Sequence, residues 1–247
     1  MMTDRFPATR LSVVLATGSE NPDQRRIALD VLIRSYWKPV YKYLRLHWRA
    51  DNEEAEDLTQ GFFARAIDRD FLARYDPARA KFRTYLRTCL DGFVSNERQA
   101  AKRLKRGGAY QHVALDFVTA EGELQERAIE AKSEDPAALF HQEWVRAVFA
   151  RAVQALEEDC TRGGREVSFA LFREYDLEGS ASEKPPTYAE LGERHGLPET
   201  SVTNRLHSVR KRFREIVLDQ LRQSAATDDE YRQEVRELLG IDPGGDA

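Results

Sequence analysis

Apolar residues return at three- and four-residue steps along most of this chain, and nowhere do they alternate for long. That periodicity predicts helices and argues against strands. Leu29, Leu32, Ile33, Tyr36, Val40, Tyr43 and Leu44 mark the first long helical face, with Pro39 expected to break or kink it. Ala55, Leu58, Phe62, Phe63, Ala66 and Ile67 mark a second, opened by the acidic run 51–57. Acid at that end suits the positive pole of a helix. Tyr75-Asp76-Pro77-Ala78-Arg79 predicts a turn or short loop. Phe82, Tyr85, Leu86, Cys89, Leu90, Phe93 and Val94 then form a third face that runs into a basic cluster and ends at Gly107-Gly108. Periodicity weakens from 107 to 135 while acid accumulates, which reads as a linker. Phe140, Trp144, Val145, Val148, Phe149, Ala152, Val153 and Leu156 restart a strongly amphipathic helix, stopped near Gly163-Gly164. Phe169, Leu171, Phe172 and Tyr175 suggest a shorter one. The fold class is therefore all-α: two helical domains joined by an acidic linker, the C-terminal one containing a helix-turn-helix.

The helix-turn-helix rests on residues 186–213. Tyr188–His195 reads as a helix, Gly196 as the turn, and Pro198-Glu199 as the opening of a second helix. Leu191, Leu197, Val202, Leu206 and Val209 have the spacing of one small core. Thr203, Asn204, Arg205, His207 and Ser208 then fall on the outer face, where Asn suits adenine edges, Arg guanine edges and hydroxyls either bases or phosphates. Arg210, Lys211, Arg212 and Arg214 are placed to neutralise phosphates. A solvated basic helix in an ordinary bundle is the plainer reading of the same run.

Charge sharpens this picture. The 247 residues carry a net charge of −4, so a nucleic-acid surface requires cations gathered locally. They gather at Arg98, Lys102, Arg103, Lys105 and Arg106, and again at Arg205–Arg214; acid collects at 116–135 and after Thr227. Cations interleaved with the aromatics of 82–106 suit unpaired bases, although Phe82, Leu86 and Phe93 taken singly are ordinary core residues. Two distant cysteines, Cys89 and Cys160, suggest neither a zinc site nor a disulfide, and Cys89 reads as a buried thiol. No cofactor or metal is expected. Five scattered histidines and the lack of a phosphate loop or nucleophile–base set argue against an enzyme. No apolar run reaches the ~20 residues that span a bilayer, and the first residues lack a signal-peptide core, so a cytoplasmic protein is expected.

Three blocks carry a resemblance. Glu54-Ala55-Glu56-Asp57-Leu58-Thr59-Gln60-Gly61-Phe62-Phe63-Ala64-Arg65-Ala66, Phe82-Arg83-Thr84-Tyr85-Leu86-Arg87, and the terminal helix-turn-helix resemble bacterial sigma factors of the sigma-70 family. The compact, extracytoplasmic-function (ECF) class is the most similar. The resemblance implies a region-2-like domain over 28–106, an acidic linker over 107–135 and a region-4-like domain over 136–223, which leaves an N-terminal extension or first helix over 1–27 and an acidic tail over 224–247. It implies that Asp57, Leu58, Gln60, Phe63 and Arg65 dock on core RNA polymerase, at the clamp, with a further contact at the flap. Arg79, Lys81, Phe82, Tyr85, Arg87, Asn96, Arg98, Lys102 and Arg103 would meet the melted and upstream parts of the minus-ten region. Thr203, Asn204, Arg205, His207, Ser208, Arg210, Lys211 and Arg212 would meet the minus-thirty-five element as duplex. The linker would thread the RNA exit path. An anti-sigma factor is a further partner that the family admits; a membrane is not.

The chain departs from the family pattern in three ways. Gly61 replaces a common acidic residue, Thr203 and Ser208 stand where basic residues are frequent, and the tail from Ser224 has no counterpart. The tail is expected to be a solvated acidic helix with a frayed end. The resulting expectation is a promoter-specificity subunit. Its rivals are a polymerase-independent helix-turn-helix regulator, which has no need of the 57–65 helix, and a helical adaptor without a nucleic-acid role.

Overall fold

Burial of one long helix organises the N-terminal part of the protein. The computed structural model describes residues 13–16, 19, 21–66, 74–103, 115–125, 135–179 and 184–242. Among them the regular structure is entirely helical: α1 Val13–Ala16, α2 Pro22–Leu46, α3 Asn52–Ala66, α4 Phe82–Arg103, α5 Phe117–Gln125, α6 Pro136–Arg162, α7 Glu166–Phe172, α8 Tyr188–His195, α9 Glu199–Ser224 and α10 Asp228–Leu239. Two compact units result. The first comprises Met1–Ala147 with Leu221–Ala247, the second Val148–Gln220, so α6 and α9 each give residues to both.

In the first unit α2 starts at Asn21, whose side chain accepts from the Asp23 and Gln24 amides, with Pro22 at the first helical position. It runs unbroken through Pro39, where a break or kink was expected. An interior proline costs ~3 kcal/mol, but Tyr36, Trp37, Val40, Tyr41, Tyr43 and Leu44 are all buried around it. At ~1.5–3 kcal/mol for each large apolar side chain removed from water, that burial outweighs the proline. Ring contacts show what covers α2: Tyr36 meets Phe82 of α4 at 5.5 Å, Trp37 meets Phe117 of α5 at 5.6 Å, and Tyr43 meets Phe140 of α6 at 5.5 Å. Asp51 caps α3 by accepting the Glu54 amide at 2.9 Å, the local use of the acidic run.

The segment expected as a linker is partly ordered structure. Residues 117–125 form α5, which lies on α2 through ion pairs as well as rings. Glu121 receives Arg45 at 2.6 Å, and Glu123 receives Lys38 at 2.7 Å and Lys42 at 2.5 Å. Lys42 is 5% exposed and also faces Glu143 at 3.6 Å, itself 1% exposed. The acid of this stretch is therefore drawn in by buried and half-buried cations on α2. Its spacing carried no such information.

In the second unit Thr187 and Glu190 form a reciprocal capping box at the start of α8, and Gly196 ends that helix at φ 64°. The Leu197 amide then donates to the Gly192 carbonyl at 2.8 Å. A Cβ placed on Gly192 would lie 2.6 Å from the Leu197 carbonyl oxygen, which is backbone and has no easy retreat. After α7 the chain widens into a π-helical turn, Arg173–Glu178.

Gly192→Ala is expected to cost about 1–3 kcal/mol through overpacking. Thermal unfolding followed by circular dichroism should show a midpoint lower by roughly 2–8 °C. Gly122→Ala is the control, since a Cβ there meets nothing within 4 Å. It should be neutral or raise stability by up to ~1 kcal/mol.

Candidate nucleic-acid and polymerase interfaces

The loop before α4 is built by its own side chains. Asp76 accepts the Ala78 amide at 3.0 Å, and the Tyr75 hydroxyl donates to the Ala80 carbonyl at 3.1 Å. Phe82, the first residue of α4, is fully buried between Tyr36 and Tyr75, the latter edge-on at 5.2 Å. Tyr85 is half-buried against Tyr75, and burial pushes its hydroxyl up to about 12. Arg79 is exposed and lies 3.3 Å from Asp76. Asn96 is exposed.

Two arginines expected at DNA are instead employed inside the unit. Arg87 pairs with Asp91 at 3.0 Å, and Asp91 also receives the Tyr43 hydroxyl and the Trp48 indole, each at 3.0 Å. Arg98 binds Glu54 at 2.9 Å, donates to the Trp48 carbonyl at 3.0 Å and lies over the Trp48 ring. These contacts join α4 to α3 and to the end of α2. The side chains of Lys102 and Arg103 lie outside the described residues.

On α3, Asp57 and Arg65 are exposed, whereas Leu58, Gln60 and Phe63 are buried at 8%, 7% and 0%. Gly61 is buried as well. The face that α3 offers to another molecule is therefore acidic and polar, and its apolar residues hold it to its own unit. Arg65 leans on Glu97 at 3.6 Å.

In the second unit Leu191, Val202, Leu206 and Val209 are buried together beneath the turn. Thr200, Thr203, Asn204, His207, Ser208 and Lys211 are exposed at helical spacing, one stripe along the first half of α9. Arg205 is half-buried, with Nη1 3.4 Å from the Ser168 hydroxyl. Arg210 binds Asp176 at 2.9 Å, donates to the Tyr188 hydroxyl and covers the Tyr175 ring. Arg212 binds Asp159 at 3.1 Å. The π-helical turn supplies a second clasp, for Glu174 receives both Arg194 at 3.0 Å and His195 at 2.8 Å. Arg210 and Arg212 thus fix how α9 is presented, and the stripe beside them is what remains open. Thr200 was missed from sequence, although its spacing from Thr203 and Asn204 places it on the same face.

Residues 32–104 match the family described as sigma-70 region 2. This segment is similar to sigma-70 region 2 domains. The match covers less than a third of the chain and takes in α3, α4 and most of α2. No curated protein and no solved structure matches the chain.

Region 2 is a non-enzymatic module of transcription initiation. Here the helices of the matched segment are joined by aromatic contacts and by Asp91 and Glu54 beneath the loop at 74–81. Among the described residues no group of His, Cys, Asp and Glu could hold a metal ion, and no helix is long and apolar enough to cross a membrane. Cys89 is half-buried rather than fully buried, and Cys160 is buried.

The principal residues missed from sequence lie beyond the region 2 domain, on α10. Tyr231, Glu234 and Val235 are buried there, so the tail is a docked helix and not a solvated one. Glu230 accepts the Phe82 amide at 2.9 Å, and Lys81 binds Glu234 at 3.1 Å and Glu237 at 2.9 Å. The signal was Tyr231, Val235 and Leu238 at helical spacing, an apolar stripe beside the acid.

Asp159 gives the second unit a pH dependence. Hydrogen bonds from Arg212, and less strongly from Arg165, hold its carboxyl below the ordinary 3.8. A carboxylate lowered in the folded state contributes stability that is present above its unfolded value and lost as pH falls through the folded one. Asp159→Asn is expected to cost on the order of 1 kcal/mol at neutral pH. Urea unfolding of the variant should also lose part of the wild-type decline below about pH 4.

Proposed function

We propose that this chain is a sigma factor of the compact, ECF-like class, which directs core RNA polymerase to particular promoters and assists strand opening. The match of residues 32–104 to sigma-70 region 2 carries the reading. The capped turn of the second unit, with an open polar stripe on α9, supports it from outside the matched segment.

The roles divide by unit. Asp57 and Arg65 on α3 meet the polymerase clamp, with Leu58, Gln60 and Phe63 holding that helix in place from beneath. The loop 75–81 and the start of α4 receive the separated minus-ten strand through Arg79, Lys81 and Tyr85, with Phe82 as their buried footing. Thr203, Asn204, His207 and Ser208 read the upstream duplex in the major groove, and Lys211 neutralises a phosphate. Arg205 stands at the edge of that face, and Arg210 and Arg212 aim the helix. Unpairing costs a few kcal/mol per flipped or unstacked base. A protein that binds the opened strand better than the closed duplex shifts that equilibrium toward melting.

Run-off transcription with purified core polymerase over a promoter library tests this directly. Selective transcripts should appear only when the protein is added, and the protein should co-purify with the core. Transcription no more selective with it than without it overturns the reading. On a responsive promoter, Asn204→Ala should weaken the matched upstream element by ~1–3 kcal/mol and leave a scrambled one unchanged. Lys211→Ala should weaken both alike and reduce the salt slope by about 1.

A further inference from the structure

The family match ends at residue 104, and nothing in the proposed function uses α10. Yet α10 places three carboxylates on the loop end and first turn of α4. Glu230 takes the Phe82 amide at 2.9 Å. Lys81 lies between Glu234 at 3.1 Å and Glu237 at 2.9 Å. Arg83 pairs with the same two, with Glu237 at 3.5 Å. An amide at a helix start with Lys and Arg beside it is the arrangement that a nucleic-acid phosphate seeks. Here glutamates already fill it. We infer that α10 is a built-in stand-in for the separated DNA strand, which seals the strand-binding surface until it is displaced. This rests on the reading of 75–83 as that surface.

Several observations describe a releasable contact. Three buried side-chain polar atoms have no hydrogen-bond partner among the described residues: Glu234 Oε2, Trp144 Nε1 and His141 Nδ1. All three lie around Arg83, which sits over the Trp144 ring at 5.0 Å, while His141 stacks on Trp144 at 5.9 Å. Undocking would return the Glu234 carboxylate to water and recover its hydration. Burial also holds the Glu230 carboxyl above the ordinary carboxylate range, so its charge is carried at a penalty. Against this, Tyr231 and Val235 are buried and Arg222 covers the Tyr231 ring at 3.8 Å. Apolar burial keeps the helix down, while the acidic contacts occupy cations that a phosphate chain can claim. Both anions compete for Lys81, Arg83 and the Phe82 amide, so the apparent affinity for the strand falls by the fraction of molecules in which α10 is open.

The test uses the full chain assembled on core polymerase. The probe is a fluorescein-labelled single-stranded oligonucleotide carrying the non-template strand of a promoter that the protein transcribes, followed by anisotropy. The variant E230Q/E234Q/E237Q should bind it about tenfold tighter than wild type or more, and adding Arg83→Ala should cancel the gain. Equal affinity of wild type and variant overturns the inference and leaves strand capture standing. Absence of binding by either, with upstream duplex still bound, removes the strand-capture reading and the inference with it. A measurement on the wild-type complex stands apart from the variant's folding. Amide exchange across α10 should rise when the oligonucleotide is saturating, and unchanged protection of α10 with the strand bound overturns the inference.

Discussion

Burial of α2 around nearly its whole circumference is the constraint on which the first unit depends. Its aromatic side chains demand partners on several sides at once, and α4, α5 and α6 each supply a ring. Such a helix tolerates Pro39 because tertiary packing, not local propensity, holds it together. It also buries cations. Lys42 enters the interior only because Glu123 and Glu143 meet it there. A buried ion pair contributes little net stability against an apolar substitute, but losing one partner leaves an uncompensated charge. The arrangement therefore fixes which acidic segment lies on α2, and α5 is drawn from what would otherwise be linker.

The same accounting of charge governs the proposed nucleic-acid surfaces. A chain with 42 acidic and 38 basic residues has no surplus of cations, so each arginine used for internal architecture is one fewer for phosphate. Arg87, Arg98, Arg210 and Arg212 are used internally: Arg87 pairs within α4, and the other three lie between elements they help to hold. What remains open on α9 is mostly short and polar: Thr200, Thr203, Asn204, His207 and Ser208, with Lys211. That composition favours reading of base edges over non-specific attraction. In the proposed function the electrostatic share of binding rests on few residues, and Lys81 and Arg83, among the remaining cations, are held by α10.

Much of this was legible in the amino-acid order. The helical faces, the Gly196 turn and the small core of Leu191, Val202, Leu206 and Val209 follow from short-range spacing, although Leu197, expected in that core, is only half-buried. The family match of residues 32–104 was legible as a resemblance of motifs. Local physics governs each: a 3.6-residue period, a capping box and a positive φ at glycine depend on neighbours within a few positions.

The tertiary structure decided which charges were spent inside. Nothing in the spacing of Arg98 or Arg210 announces Glu54 or Asp176 as a partner, because those contacts join positions 44 and 34 residues apart. The tail is the extreme case: Glu234 reaches Arg83 across 151 residues, and Glu230 reaches Phe82 across 148. From the sequence the tail was expected to be a solvated acidic helix. Only the fold determined that its carboxylates and apolar stripe would settle on the first turn of α4, since that pairing is set by which cations and apolar surface the other helices leave uncovered.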